Sequence, residues 1–218
     1  MNQDHSTQRP EPLWHIEIAV VAAILIQLVI SNKLTIGPRY LLAVMELLLL
    51  VALRLTAPVR HDLAGRLRRF AGLLLTGLIS LANTFSLIIV CRYLIAGNHS
   101  TAKELILSAI AIYFTNIIIF GLWYWELDGG GHGGRGTHKP PVDFLFPQMI
   151  TSSDITKQLM WRPTFFDYLY VSVTNGTAFS PTDALPLTHR AKLLMALQAL
   201  VSLSTIALVA ARAINILA

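Results

Sequence analysis

Long apolar runs separated by short polar stretches dominate this chain of 218 residues. A helix that crosses a bilayer needs about 20 mostly apolar residues. Five segments reach or approach that length: Leu13–Ile30, Tyr40–Ala57, Phe70–Ile95, Leu105–Trp125 and Ala191–Leu217. The pattern predicts an all-α, polytopic membrane protein with about five transmembrane helices. Pro38 stands near the start of the second, where its missing N–H costs little. Trp14 opens the first helix, and Trp123, Tyr124 and Trp125 close the fourth, as expected of interfacial aromatic belts. The first apolar run follows a polar tail, residues 1–12, and is too long for a typical signal-peptide core, so it is expected to persist as a helix.

One stretch breaks the rhythm. "DYLYVSVTNGTAFSPTD", residues 167–183, is polar and turn-rich, yet it stands just before the last apolar run. Polar backbone at membrane depth is tolerated only when buried in protein or lining a water-filled cavity. Asp167 to Tyr170 can begin a short helix after Pro163, with Phe165, Phe166, Tyr168 and Tyr170 as apolar or interfacial anchors. Asn175-Gly176 is expected to supply a turn, and Pro181 prevents the helix from continuing. Helix, turn and extended return make a re-entrant pore-helix hairpin. The competing reading is an interfacial helix followed by a surface loop. The expected organisation is then the tail 1–12, a three-helix region 13–95 and a pore-like module 105–217. An Arg-rich loop, 58–69, falls in the three-helix region. The module comprises a helix, a Gly-rich loop 126–163, the re-entrant loop 164–186 and the last helix.

Composition agrees with a membrane location: 54% of residues are hydrophobic and 13% charged, against about 25% charged in soluble domains. The net charge is +5, but its placement carries more information. Arg60, Arg66, Arg68 and Arg69 cluster between the second and third runs, and Arg54 lies just inside the end of the second. Between two spans such a cluster reads as a cytoplasmic tether rather than a nucleic-acid site. That places the N-terminus in the cytoplasm, the C-terminus outside and the 126–166 segment inside, in a multi-pass protein of the plasma membrane. The single cysteine, Cys91, excludes an intrachain disulfide and a Cys-cluster metal site. His132 and His138 lie on the Gly-rich linker, and two histidines there rarely make a metal site. No GxSxG, HExxH or GxxxxGK[ST] motif is present; no catalytic residue, cofactor or metal is expected, and no enzyme.

Polar residues also fall within the spans: Glu46, Asn83, Asn116, and Ser202 to Thr205. An unpaired carboxylate at the bilayer centre costs on the order of 3 kcal/mol, so Glu46 is expected to be paired or protonated. It belongs either to an ion or proton path or, like the two asparagines, to interhelical hydrogen bonding, at about 0.6 kcal/mol per bond. Gly72, Thr76, Ser80 and Thr84 repeat every four residues on a face suited to close helix packing. In the last helix Gln198, Ser202, Thr205, Val209 and Arg212 are spaced 4, 3, 4 and 3, which places them on one stripe. The stripe either faces a lumen or forms a packing seam with Arg212 reaching to the interface.

Residues 167–193 resemble pore-loop potassium channels. Asp167, Leu169, Tyr170, Ser172 and Val173 stand where those channels often read D-x-L-Y-x-S-V. Thr177 and Asp183 fall at the positions that open and close the channel filter, and Pro186, Thr188, Lys192 and Leu193 match common residues beyond it. Where the channels have V-G-Y-G, this chain has Phe179-Ser180-Pro181-Thr182, which lacks the glycines that let successive carbonyls face an ion. The whole chain resembles a bacterial family of integral membrane proteins defined by a domain of unknown function. That family shares the helix order, the Arg-rich loop, a "WELDGGG" end to the fourth helix and an aromatic segment like "DFLYFSFTIGMTFQTSD".

These readings converge on a homo-oligomeric, ion channel-like protein of pore-loop design, tetrameric by the resemblance and not potassium-selective. The pore loop would comprise Thr174, Asn175, Gly176, Thr177, Ser180, Pro181, Thr182 and Asp183. The alternatives are a non-conducting bundle that binds a partner protein or lipid, and a small transporter using Glu46.

Overall fold

The computed structural model describes residues 14–28, 30, 40, 43–44, 47–48, 50–51, 62–95, 102–130, 142–150, 161–177 and 184–217, without the side chains at 62–69, 94–95, 102, 130 and 212–217. Among the described residues the fold is carried by helices α1 (Trp14–Gln27), α2 (Asp62–Ile95), α3 (Ala102–Leu127), α4 (Phe165–Thr177) and α5 (His189–Leu217). Among the described residues, α2, α3 and α5 are long and apolar enough to cross a membrane; α1 is a shorter apolar helix. The described residues of the second predicted span, between 40 and 51, are helical.

α3 is the hub, touching the other four helices, and 61% of its apolar span is buried. α2, α4 and α5 all run antiparallel to it. Trp123 of α3 meets Ser80 of α2 while Ile112 meets Asn83; Asp128 meets Tyr168 while Ile117 meets Ser172; Tyr124 meets Gln198 while Asn116 meets Ser202. The apolar core divides in two. One cluster joins Ala19, Val20 and Ala23 of α1 to Tyr124, Phe144, Phe165 and Tyr168. The other joins Ile30, Leu87, Val90, Leu105 and Ile112 towards the start of α3.

Two boundaries differ from the sequence expectation. α2 begins at Asp62, so Arg66, Arg68 and Arg69 stand on the helix and not in a loop. No proline interrupts that stretch, so the helix can begin there. α4 runs to Thr177, so Asn175-Gly176 forms its last turn and not the expected bend. The reason is packing: Gly176 is wedged between α3 and α5, and Asn175 is fully engaged with α5.

After α3 the chain makes one 3₁₀ turn, Asp128–Gly130, with Gly129 left-handed at φ 58°. That conformation suits glycine and lets the chain leave the helix at once. Residues 142–150, "VDFLFPQMI", supply strand β1 (Phe144–Leu145) and a helical turn, Pro147–Ile150. β1 pairs antiparallel with β2 (Leu185–Pro186), Phe144 opposite Pro186 and Leu145 opposite Leu185. Phe144 and Phe146 are buried, whereas Met149 and Ile150 are exposed.

Candidate functional site

Among the described residues, two groups of polar side chains gather around α4. The first is a seam where α3, α4 and α5 meet. Gln198 is at its centre with no exposed surface. Its Oε1 accepts from the Tyr124 hydroxyl at 2.6 Å and from Asn175 Nδ2 at 2.8 Å. Its Nε2 donates to the Ser172 carbonyl and to Ser172 Oγ, both at 2.7 Å. Two donations and two acceptances saturate a glutamine amide. Asn175 Nδ2 also donates to the Met195 carbonyl at 2.9 Å, and Ser172 Oγ donates to the Ile117 carbonyl at 2.6 Å. One turn deeper, Asn116 Nδ2 donates to Ser202 Oγ at 3.0 Å.

Close backbone approach makes these contacts reachable. A Cβ added to Gly176 would stand 3.3 Å from Gln198 Nε2, Ile117 Cγ1 and Ser202 Oγ. One added to Gly121 of α3 would stand 3.2 Å from Leu169 Cα and 3.7 Å from Leu169 Cβ. The seam is therefore built on two glycines, one on each side of the α3–α4 contact.

The second gathering lies where α3 ends and α4 and α5 begin. Asp128 is 2% exposed; its Oδ1 accepts from the Asp143 and Phe144 amides at 2.6 and 3.3 Å, and its Oδ2 accepts from the Tyr168 hydroxyl. Asp143, equally buried, accepts through Oδ1 from the Thr188 hydroxyl and lies 3.6 Å from Arg190. Thr188 in turn caps α5, its Oγ1 accepting from the Ala191 amide at 3.3 Å. Thr164 and Asp167 cap α4: Asp167 Oδ2 accepts from the Thr164 amide at 2.6 Å and from its hydroxyl at 2.8 Å. Around this mouth the aromatic rings of Tyr124, Phe144, Phe146, Trp161 and Tyr168 form a chain with centroids 5.1 to 6.2 Å apart.

Of the residues singled out from sequence, Gln198, Ser202 and Thr205 face the interior of their own chain, at 0%, 1% and 1% exposure. The stripe packs; it is not an open face of α5. Thr205 Oγ1 returns to the Val201 carbonyl at 2.7 Å, and the side chain of Arg212 is not described. In α4, Thr174 Oγ1 back-bonds to the Tyr170 and Val171 carbonyls at 3.0 and 3.1 Å, and Thr177 Oγ1 to the Thr174 carbonyl at 3.2 Å. Asn83 Nδ2 donates across to the Ile112 carbonyl at 3.2 Å. Glu46, Ser180, Pro181, Thr182 and Asp183 lie outside the described residues, as do His132 and His138. The Thr76, Ser80 and Thr84 hydroxyls bond back along α2, and Trp123 Nε1 donates to Ser80 Oγ at 2.9 Å.

Tyr124 and Trp125 do not form the belt expected of them: they are 0% and 5% exposed, because the chain folds back over the end of α3. Trp14 and Phe166 are exposed. Sequence reasoning missed Tyr124, Ser172, Asp128, Asp143 and Tyr168 as site residues. The available signal was Asp128 beside three glycines, a charge at a helix end where a turn is obligatory. Among the described residues no three His, Cys, Asp or Glu side chains converge as a metal site.

Three apolar helices of membrane-crossing length, packed through buried polar contacts, define a helical membrane protein. No family model, curated protein or solved structure matches the chain.

Proposed function

We propose that the chain is one subunit of a homo-oligomeric, pore-loop membrane assembly, fourfold by its resemblance to pore-loop channels, in which residues 164–186 form a re-entrant hairpin. The observation that carries this reading is the path of α4. It starts beside Asp128 at the end of α3, and its last turn abuts Ile117 and Ser202, well inside both neighbouring helices. By Leu185 the chain is back at the mouth, paired with β1. α4 is about 20 Å long at 1.5 Å per residue. The seven peptide steps from Thr177 to Ala184 reach about 25 Å at most, enough to regain the mouth. A segment that enters and leaves by one end of a membrane bundle is a re-entrant loop.

One hairpin and one last helix cannot enclose a path, so closed cyclic symmetry is required. α5 supports that requirement, since only 17% of its apolar span is buried within the chain. The proposed path is not potassium-selective, because Phe179-Ser180-Pro181-Thr182 lacks the glycines of a carbonyl ladder. Side chains at the hairpin tip, including Thr177, Ser180, Thr182 and Asp183, would coordinate ions loosely. The orientation that follows from the arginine cluster puts the mouth of the hairpin on the cytoplasmic side.

The test is current from purified protein in planar bilayers under a potassium chloride gradient, then with sodium replacing potassium on one side. The expected result is a conductance with a reversal potential nearly unchanged by the swap. Strong potassium selectivity contradicts the reading of Phe179–Thr182. A second reading, a non-conducting bundle plugged by its own hairpin, is favoured by one observation: the amide of Gln198 is used up within its chain. Absence of current at every voltage, pH and lipid composition supports that reading over the first.

A further inference from the structure

The seam contains a reciprocal exchange between α4 and α5. Asn175 of α4 donates to the backbone carbonyl of Met195 in α5, and Gln198 of α5 donates to the backbone carbonyl of Ser172 in α4. The two side chains also bond to each other, at 2.8 Å. A contact from side chain to backbone specifies one residue on the partner, whereas apolar ridges allow neighbouring registers. Sliding α4 by one residue moves it about 1.5 Å along its axis and breaks both donations at once. Gly176 adds a steric stop, with three groups from α3 and α5 within 3.3 Å of its missing Cβ.

We infer that the Asn175–Gln198 exchange is a register lock that fixes how deep α4 sits and joins α4 and α5 into one moving unit. This rests on the hairpin reading only for its functional meaning; the lock itself is a statement about two helices. Its consequence is that a change between closed and open forms moves the α4–α5 pair together, against α3 or against a second copy of the chain. The hairpin does not slide along α5.

The Gly121–Leu169 contact gives a direct gauge of register. The Cβ positions there are 3.7 Å apart, within the range a disulfide requires. In Cys91→Ser protein, the pair Gly121→Cys and Leu169→Cys is expected to cross-link as the dominant product, with little product from the off-register control pair Gly121→Cys and Val173→Cys, in which Val173 lies one turn beyond Leu169 on the same face of α4. Adding Gln198→Leu should lower the 121–169 yield at least twofold and raise the off-register product. Gln198→Glu, which keeps the acceptor oxygens but loses the donation to Ser172, should do the same if Gln198→Leu fails to fold. An unchanged distribution of products in both Gln198 variants and in Asn175→Ala overturns the lock. The outcome is independent of whether α4 enters a membrane: labelling of the hairpin from each side tests the hairpin reading, and the cross-links test only the register.

Discussion

Gly176 and Gly72 make opposite demands on a methyl group. At Gly176 an added Cβ meets three groups at 3.3 Å, two of them the polar atoms that hold the seam. At Gly72 it meets nothing within 4 Å. Gly72→Ala is therefore expected to be neutral or stabilising by up to about 1 kcal/mol through helix propensity alone. Gly176→Val should cost about 1–3 kcal/mol by overpacking. Thermal unfolding of the two variants in the same detergent measures the contrast, and equal midpoints would remove the close packing assigned to Gly176. The amide of Gln198 gives a second ordering. Tyr124→Phe removes one of two donors to Oε1, worth about 0.6 kcal/mol between membrane helices. Gln198→Leu strands the Tyr124 hydroxyl and part of the Asn175 and Ser172 bonding in a buried place, at about 2 kcal/mol. Chemical denaturation should rank the losses in that order.

At the scale of the element, α4 is short and amphipathic, and its start depends on a cap. Thr164→Ala removes the hydroxyl half of the Thr164–Asp167 pair and should cost about 1 kcal/mol. The loss should show as faster amide exchange across the first turn of α4, with α3 unaffected. Much of this level was legible in the sequence. Apolar runs located α1, α3 and α5 within a few residues, because burial in lipid or protein imposes one period and one length. The short helix after Pro163 was legible from its breakers. Its end was not, since an Asn-Gly pair reads as a turn unless neighbours fill the space around the glycine. The polar stripe of α5 was legible as a stripe, but spacing alone says only that residues share a face. Which face meets α3 and α4 is set by where Tyr124 and Ser172 fall on other helices, and no local pattern carries that.

The whole molecule has two ends of different character. The starts of α1, α4 and α5 lie at one end with the end of α3, as the His15–Phe166 ring contact at 5.1 Å and the Asp128–Tyr168 bond indicate. Arg162 is exposed at that end, and Lys103 is exposed at the start of α3, at the other. If the arginine cluster faces the cytoplasm, single cysteines in a Cys91→Ser background should divide accordingly. Lys103→Cys should label with an impermeant reagent on intact cells, and Arg162→Cys only after permeabilisation. The reverse pattern inverts the proposed orientation. The poorly covered α5 sets a further expectation: native mass spectrometry in mild detergent should show a multiple of the 24.1 kDa chain, with fourfold stoichiometry, and monomer alone counts against an enclosed path.

The seam also has a consequence for biosynthesis. Ser172 and Asn175 of α4 emerge from the ribosome before Gln198 does, and β1 emerges about 40 residues before β2. At the usual 5–20 residues per second, α4 waits about 1–5 seconds for the residue that satisfies its polar groups. During that interval it is an incompletely bonded segment, the kind of intermediate that chaperones and membrane proteases sample. A chain truncated before His189 retains α3 and α4 but can never complete the seam. Pulse-chase labelling should show it cleared several-fold faster than the full chain, and a Gln198→Leu full-length chain should fall between them.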